Sequence, residues 1–255
     1  MKRKYLLKKD AHDTRDFLSN VNLGIKLPSS FDLRKNCPPV FNQGDLGSCS
    51  SNAGVTSRMM MSNIEKTLSR LDLYYNERYL ENTVNEDSGA CMRDICVALS
   101  KFGVCEETFF PYVEANFTNP PSEEAITNGK NYKINAFKRI TSVTQCRQYI
   151  VTHQQPVLMG MTVFESMESD EVSKTGFLPL PKHGEKKLGG HAVLVVGYKD
   201  ISKTSWILSM FSKKITGYLI VRNSWGSDWA DMGYFYVPYE FGSNTDYTSD
   251  LWVIS

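Results

Sequence analysis

The sequence predicts an α+β protein with a helical first half and a β-rich second half. Two observations predict this class. In the first half, apolar residues recur at helical spacing in long segments without proline. After residue 130, short apolar runs bounded by glycine and polar residues follow one another, as is typical of strands. The 255 residues are enough for one compact unit or two closely packed lobes.

Two helices are predicted in the first half. Ser48 can cap a helix over residues 49–68, and a second helix is expected over residues 91–101. The polar segment 112–130, which contains Pro120-Pro121, is interpreted as a linker across the surface. The helical lobe is therefore expected to span about residues 29–112.

Strands are predicted in a lobe that spans about residues 130–250. The strongest run begins directly after a histidine, and another ends directly before an asparagine. The predicted strands are residues 156–161, 192–198, 217–222 and 233–237.

Residues 1–28 are charged and are interpreted as a short leader, extended except for a turn of helix near residues 13–18. The leader contains no apolar segment like that of a secretion signal, and no run in the chain is long enough to span a membrane. We therefore expect a soluble protein without a membrane partner. The sequence leaves the location of the protein open between the cytoplasm and a virion or host compartment.

Charge and cysteine content exclude further classes. Twenty-nine basic and 28 acidic residues nearly cancel, so we expect no nucleic-acid partner. A monomer is also expected. Six cysteines leave five if one is a reactive thiol, and an odd remainder favours a mostly reduced protein. Cys91 and Cys96 lack a matching Cys or His pair nearby, so neither a metal nor a cofactor is expected.

One short segment has the parts of a thiol nucleophile. In the segment 43–49, QGDLGSC, the glycines permit a tight turn that delivers Cys49 to a helix start. Free N–H groups and the helix dipole at that end lower the pKa of a thiol. The amide of Gln43 can act as an oxyanion donor.

A base and its orienting group are found in the second half. His191 follows two glycines and opens the strongest strand, while Asn223 ends the next strong strand. An Asn side-chain oxygen can accept a hydrogen bond from an imidazole N–H, and the indole of Trp225 can shield that bond from water.

These three blocks, QGDLGSC, GGHAVLVVGY and VRNSWGSDWADMGYF, closely resemble those of the papain and cathepsin family of cysteine peptidases. The resemblance covers the chain from about residue 27, where LPSSFDLR is similar to the start of a mature enzyme. It implies a two-lobed fold, with a helical N-terminal lobe, a β-barrel-like C-terminal lobe and an active-site cleft between them. Residues 29–255 would form this peptidase domain.

Three positions depart from the usual family pattern. Leu46 replaces a cysteine, which removes a familiar disulfide, and Ser50 replaces an aromatic residue. Gly190 stands where the plant enzymes often carry aspartate. These features resemble the bacterial and large-virus branch of the family.

The resemblance implies an endopeptidase that cleaves polypeptides through a thioester. Cys49 would be the nucleophile, His191 the general base and acid, Asn223 the orienting residue, and Gln43 an oxyanion donor. The expected substrate-binding residues are Ser88, Gly89, Ala90, Cys91, Met92, Gly190 and Ser249.

The leader is too short for the helical inhibitory domain common in the family, yet it is long enough to cross the cleft. It is interpreted either as a segment that inhibits the enzyme intramolecularly, with Phe17 or Leu18 in an apolar subsite, or as a disordered tail. Two other functions stay open: a catalytically silent binding protein, and a Cys-His amidase or acyltransferase.

Overall fold

The computed structural model describes residues 3–19, 24–201 and 215–255. The interval from Cys49 to Asn223 is long for the family that the sequence resembles and predicts an insertion around residues 201–214. This segment lies, apart from its first residue, outside the described range. Helices fill the first half, as predicted, and smaller helices flank the strands of the second half. Their bounds are α1 Cys49–Met61, α2 Arg70–Glu81, α3 Met92–Lys101, α4 Glu123–Gly129, α5 Val143–His153, α6 Asp170–Thr175 and α7 Tyr239–Gly242.

The helical half differs from the prediction in two places. Helix α1 ends at Met61 because the polar pair Ser62-Asn63 follows it, and Asn63 has a left-handed φ of 50°. The predicted linker contains α4, which begins directly after Pro120-Pro121, where Ser122 caps it by accepting a hydrogen bond from the backbone N–H of Ala125.

Serine caps also start two helices that the apolar pattern did not predict. The Ser69 hydroxyl accepts from the N–H of Asp72 at the start of α2, and Ser142 does the same for Gln145 in α5.

The described strands form one open antiparallel sheet in the order β2, β7, β3, β4, β5, β6, and β1 pairs with the far end of β4. The predicted barrel-like lobe is therefore an open sheet, since its end strands β2 and β6 are not paired with each other in the described chain. The strand bounds are β1 Ser30–Asp32, β2 Phe137–Ile140, β3 Val157–Phe164, β4 Lys187–Asp200, β5 Gly217–Arg222, β6 Tyr234–Pro238 and β7 Thr248–Ile254.

One hydrophobic core joins the helical half to the sheet. Ala53 and Val55 of α1 belong to the same buried cluster as Val193 and Val195 of β4. Burial of this shared apolar surface holds α1 against the sheet and fixes the position of its first residue. Throughout residues 3–19, 24–201 and 215–255, every helix is too short or too polar to cross a membrane.

Candidate active site

Cys49 is the first residue of α1, and its side chain lies against the start of β4. The backbone N–H of Ala192 donates to Cys49 Sγ at 3.4 Å, so the thiol lies beside the residue that follows His191. Residues 49 and 191 are far apart in sequence, and the packing of α1 against β4 brings them together. The thiol also lies at the positive end of the helix dipole, as the sequence predicts.

Neighbouring strands bring His191 and Asn223 together. His191 lies in β4, Asn223 directly follows β5, and these two strands pair with each other. His191 Nε2 lies 2.8 Å from Asn223 Oδ1. The backbone N–H of Ser224 also donates to this oxygen at 2.8 Å, which identifies it as the acceptor of the amide.

The tautomer of His191 follows from this contact. Because Asn223 Oδ1 can only accept, Nε2 of His191 is the nitrogen that carries the proton. His191 Nδ1 is buried and has no hydrogen-bond partner among the residues that the structure describes. The neutral ring therefore keeps the lone pair of Nδ1 available to take a proton.

Trp225, which the sequence predicts to shield the bond between Asn223 and His191, packs against the histidine. Its indole stacks on the His191 ring, with centroids 5.0 Å apart and an interplanar angle of 26°. The guanidinium of Arg3 in the leader lies over the indole of Trp225, 4.1 Å from the ring centroid. His191, Asn223 and Trp225 are all almost fully buried.

Gln43 is held between the two halves of the molecule. Its Nε2 donates to the carbonyl of Leu46 at 2.9 Å, and its Oε1 accepts from the hydroxyl of Ser224 at 2.6 Å. One amide hydrogen is thus used within the turn that leads to Cys49, and the second is available to another acceptor. Leu46 packs in a small apolar cluster that includes Cys105.

Glu77 is a buried residue near the site that the sequence did not reveal. Its carboxyl accepts a hydrogen bond from the hydroxyl of Ser50 at 2.5 Å, and its side chain is fully buried. Burial raises the pKa of Glu77 well above its usual range, which favours the neutral acid. No local signal marks this position, because Glu77 lies within the regular pattern of α2.

The predicted lowering of the Cys49 pKa does not hold in this structure. Burial raises the pKa of Cys49 to about 12 and lowers that of His191 to about 4. The hydrogen bond from Ala192 acts against the shift at Cys49 without reversing it. Both groups are therefore neutral here, and the cause is the cover that excludes water from them.

That cover is the leader. The N–H of Leu7 donates to the carbonyl of Gly190 at 3.1 Å, and the N–H of Lys8 donates to the carbonyl of Ala90 at 3.0 Å. The ring of Tyr5 lies edge-on to His191, with centroids 6.0 Å apart. The leader therefore runs as an extended strand between the two halves, directly over the site.

Glycines permit this close approach. A Cβ atom at Gly89 would lie 2.2 Å from the carbonyl oxygen of Leu6, and one at Gly190 would lie 2.2 Å from that of Leu7. Gly89 also has a left-handed φ of 66°. Both residues were predicted to bind substrate backbone, and here they border the backbone of the leader.

The remaining predicted substrate-binding residues, except Ser88, lie around Leu7 and Lys8. Leu7 is buried, and a Cβ built at Gly160 would meet Leu7, Met92 and Ser249 side chains, which places these groups around one small space. Cys91 forms a β-bridge with Lys8. Ser88 is turned into its own loop, where its hydroxyl lies 2.8 Å from that of Thr83.

Two charged anchors hold the rest of the leader. Asp16 contacts Arg93 of α3 and Arg139 of β2. Asp10 is buried, and it accepts hydrogen bonds from Trp252 Nε1 at 2.8 Å and from the backbone N–H of Arg93 at 3.0 Å. Burial and the nearby carboxylate of Asp250 raise the pKa of Asp10.

Phe17 and Leu18 do not fill a subsite as the sequence predicted. Phe17 is 76% exposed and Leu18 is 59% exposed. Residues 17–19 lie along the outer edge of β2, where their backbone pairs with that of Arg139. Leu7 is the apolar residue that enters the cleft. The predicted helical turn is a hydrogen-bonded turn in which the N–H of Asp16 donates to the carbonyl of Asp13.

All six cysteines of the sequence are free thiols. Of the other histidines, His153 lies against the ring of Tyr149, with centroids 4.4 Å apart, while His12 and His183 are exposed. These histidines lie outside the site, as expected.

Comparison with known proteins agrees with this geometry. Residues 27–250 match the family model described as papain family cysteine protease. An uncharacterized peptidase C1-like protein of Acanthamoeba polyphaga mimivirus is 35% identical over 273 residues, which cover 99% of this chain and 83% of that protein. Cysteine proteinase 3 of Entamoeba histolytica is 24% identical over 88% of this chain and 67% of its own length.

Solved structures give the same result. The crystal structure of xylellain, a cysteine protease from Xylella fastidiosa, matches with a TM-score of 0.85 and 32% identity, covering 98% of this chain and 95% of that one. Digestive procathepsin L 3 of Tenebrio molitor shares the fold at 17% identity, with a TM-score of 0.69, covering 94% of this chain and 74% of that chain.

The fold and the matched blocks define a cysteine peptidase, a hydrolase whose substrates are polypeptides. The chain belongs to the papain family of cysteine proteases. Its similarity to a mimivirus protein and to a Xylella enzyme confirms the predicted resemblance to the bacterial and large-virus branch.

Proposed function

We propose that this chain is an endopeptidase that uses Cys49, His191 and Asn223, and that residues 3–19 of its own leader keep it inactive. The observation that carries the proposal is the tautomer of His191. Because Nε2 donates to Asn223 Oδ1, the free lone pair of the His191 ring lies on Nδ1. The next residue, Ala192, donates a backbone hydrogen bond to Cys49 Sγ, so the histidine lies beside the thiol.

The reaction follows from this arrangement. His191 Nδ1 takes the thiol proton while Cys49 Sγ attacks the carbonyl carbon of the peptide bond. The Gln43 amide and the N–H of Cys49 donate to the oxyanion that forms. The C–N bond then breaks, and the leaving amine takes the proton from His191, which gives a thioester on Cys49.

Water completes the cycle. His191 removes a proton from the attacking water, the thioester C–S bond breaks, and the acid product leaves while Cys49 regains its proton. Asn223 contributes by holding the imidazole in one tautomer and orientation throughout both halves of the reaction.

The leader acts as an inhibitor by occupation of the cleft. It uses the backbone groups of Ala90 and Gly190 that would otherwise pair with a substrate, and it buries the thiol and the imidazole. A substrate can enter only after residues 3–8 leave. The contacts described above favour this interpretation over a disordered tail.

The two rival functions predict different results. A silent binding protein would keep the cleft but lack hydrolysis, and an amidase would act on peptidoglycan fragments in preference to peptides. The positions expected of a nucleophile, a base and an orienting group are all occupied here by competent residues, which favours hydrolysis over silent binding.

The test uses the full chain with Leu7→Asp, which puts a charge in the apolar space around Leu7 and releases the leader, so that inhibitor and substrate can enter. This protein is treated with an epoxide inhibitor that alkylates cysteine peptidases, the adduct is located by mass spectrometry, and the substitutions below are made in the same background. We expect a single adduct on Cys49 and loss of hydrolysis of a fluorogenic dipeptide in Cys49→Ala. The matched control is Cys146→Ala, which removes a buried thiol of α5 remote from the site. Full activity in Cys49→Ala, or hydrolysis of peptidoglycan fragments alone, would overturn the proposal.

A further inference from the structure

The first part of the leader is basic, and several of its cations lie on acids along the cleft. The Lys4 ammonium contacts Asp87 at 2.6 Å, and Lys8 forms an ion pair with Glu81. Asp87 also accepts hydrogen bonds from the N–H of Gly47 and the hydroxyl of Tyr74, so it has a structural task in the turn before the nucleophile. Glu81 differs from Asp87 in this respect. Within the described chain, the ion pair that its carboxylate forms is the one with Lys8 of the leader.

Glu81 belongs to a compact cluster of three residues. It ends α2, while Cys91 directly precedes α3 and Asp94 lies in the first turn of that helix. One oxygen or sulfur atom from each of Glu81, Cys91 and Asp94 lies within 4.8 Å of those of the other two. The Glu81 side chain is only 15% exposed, whereas the Lys8 side chain that reaches it is 47% exposed.

Among the described residues, neither Glu81 nor Asp94 forms an ion pair with a cation of the surrounding helices. Burial, followed by the adjacent Glu81, raises the pKa of Asp94 to about 6. Arg93, the neighbouring cation on α3, uses its guanidinium on Asp16 and on the carbonyl of Ala11. The cation that the structure places on this cluster comes from the segment that lies in the cleft.

The backbone fixes where that cation stands relative to the nucleophile. Leu6 lies against Gly47, next to Cys49, and Leu7 enters the space lined by Met92 and Ser249. Lys8 comes next, with its N–H bonded to the carbonyl of Ala90. Counted outward from Cys49 on this side of the cleft, Lys8 occupies the third residue position, and its side chain projects toward α2.

We propose that Glu81 and Asp94 form a subsite that selects a lysine or arginine side chain at the third residue before the cleaved bond. The proposal rests on the proposed function, since it assumes that substrates lie where the leader lies. Leu6, Leu7 and Lys8 run away from Cys49, whereas the residues before a cleaved bond run toward it, so the substrate crosses Ala90 and Gly190 in the opposite direction to the leader. The third side chain before the cleaved bond then reaches the place of Lys8, where two partly desolvated carboxyl groups attract a cation.

The first experiment measures binding, so that it does not depend on the chemistry. The full chain carries Cys49→Ala, to prevent turnover, and Leu7→Asp, which places a charge in the apolar space and expels the leader. Two labelled peptides are compared by fluorescence anisotropy in buffer with EDTA. They are identical except for lysine or norleucine at the third residue before the cut, and leucine stands at the second.

We expect the lysine peptide to bind about threefold to tenfold more tightly, the range of one partly exposed ion pair, and to lose this advantage in high salt. Glu81→Gln or Asp94→Asn should remove most of the preference. Glu86→Gln is the matched control, because it neutralises an exposed carboxylate in the loop that follows α2. Equal affinity for both peptides, or an unchanged preference in Glu81→Gln, would overturn the subsite.

A second measurement needs no loosened leader. In the full chain, Lys8→Met removes the charge from the cluster and should raise the rate at which iodoacetamide modifies Cys49 by about threefold to tenfold, because the leader opens more often. Lys9→Met removes the adjacent, exposed charge and should leave the rate unchanged. Equal rates in the two variants would count against the subsite.

The two proposals can fail separately. The proposed function would be wrong if the lysine peptide bound but the Leu7→Asp chain, which retains Cys49, did not cleave it. Loss of the subsite would appear as cleavage of both peptides at equal kcat/KM, with no effect of Glu81→Gln.

Discussion

The guanidinium of Arg93 binds the carboxylate of Asp16 through two parallel hydrogen bonds, with Nε 3.0 Å from Oδ1 and Nη2 2.8 Å from Oδ2. Arg139 contributes a third bond, from its Nε to Asp16 Oδ2 at 3.0 Å. Burial alone would raise the pKa of Asp16, but these two cations outweigh it and lower the pKa. A charged Asp16 therefore ties the leader to both halves of the molecule.

We predict that Asp16→Ala loosens the leader. A hydrogen bond to a charged group contributes about 1.5–3 kcal/mol. Loss of even one such bond should make the leader open about tenfold more often, so the rate of Cys49 alkylation in the full chain should rise by about tenfold or more. Asp13→Ala is the control, because Asp13 pairs with Arg15 inside the leader itself. Equal alkylation rates in the two variants would show that Asp16 does not hold the leader.

The pH dependence of alkylation should report whether the site is covered. Burial holds the pKa of Cys49 at about 12, so in the full chain the rate should keep rising from neutral to strongly alkaline pH. In Leu7→Asp the thiol is exposed, and the rate should level off at a lower pH. Since the covered state has the higher pKa, rising pH favours opening. Identical profiles for the two proteins would contradict this prediction.

Gln43→Ala should reduce kcat by about 10²-fold or more in the Leu7→Asp background, the scale of one lost oxyanion donor. Ser224→Ala is the matched control, because it removes the hydrogen bond to Gln43 Oε1 and leaves both amide hydrogens in place. Steady-state kinetics on a fluorogenic peptide separate the two variants. If Gln43→Ala kept the parent kcat, the oxyanion donor would have to be another group.

In the Leu7→Asp background, Asn223→Ala should lower kcat without abolishing it, because the asparagine positions the base and transfers no proton. We expect a loss of about 10-fold to 10²-fold, toward the lower end of what general acid–base catalysis contributes. Asn119→Ala, at an exposed asparagine of the surface loop before α4, is the control. A loss as complete as that of Cys49→Ala would assign Asn223 a larger part in the reaction.

The main features of the site were predictable from sequence because they depend on residue types with few other uses. The glycines around Cys49 and His191 and the NSWG block indicated the residues that the fold brings together. The path of the leader was not predictable in detail. Leu7 and Leu18 are equally apolar, and their different places depend on tertiary contacts: the bond of Leu7 to Gly190 in the cleft and the ion pairs of Asp16 with Arg93 and Arg139 outside it.

Helix caps explain most of the differences in secondary structure. Ser69, Ser122 and Ser142 each accept a hydrogen bond from the N–H three residues later, and each starts a helix that apolar periodicity did not reveal. Glu77 could not have been predicted as a buried acid, since its burial depends on the packing of α2 beneath α1, which is a property of the tertiary structure.

The leader bonds to Ala90 and Arg93 on one side and to Gly190 and Arg139 on the other. It therefore acts as a brace across the interface between the helical half and the sheet. As a tethered ligand of the folded state, it adds to the free energy of unfolding, and its departure lowers the thermal midpoint. Under the proposed inhibition, activation of the peptidase and loss of thermal stability are two results of one event, and we expect the active form to unfold at a lower temperature.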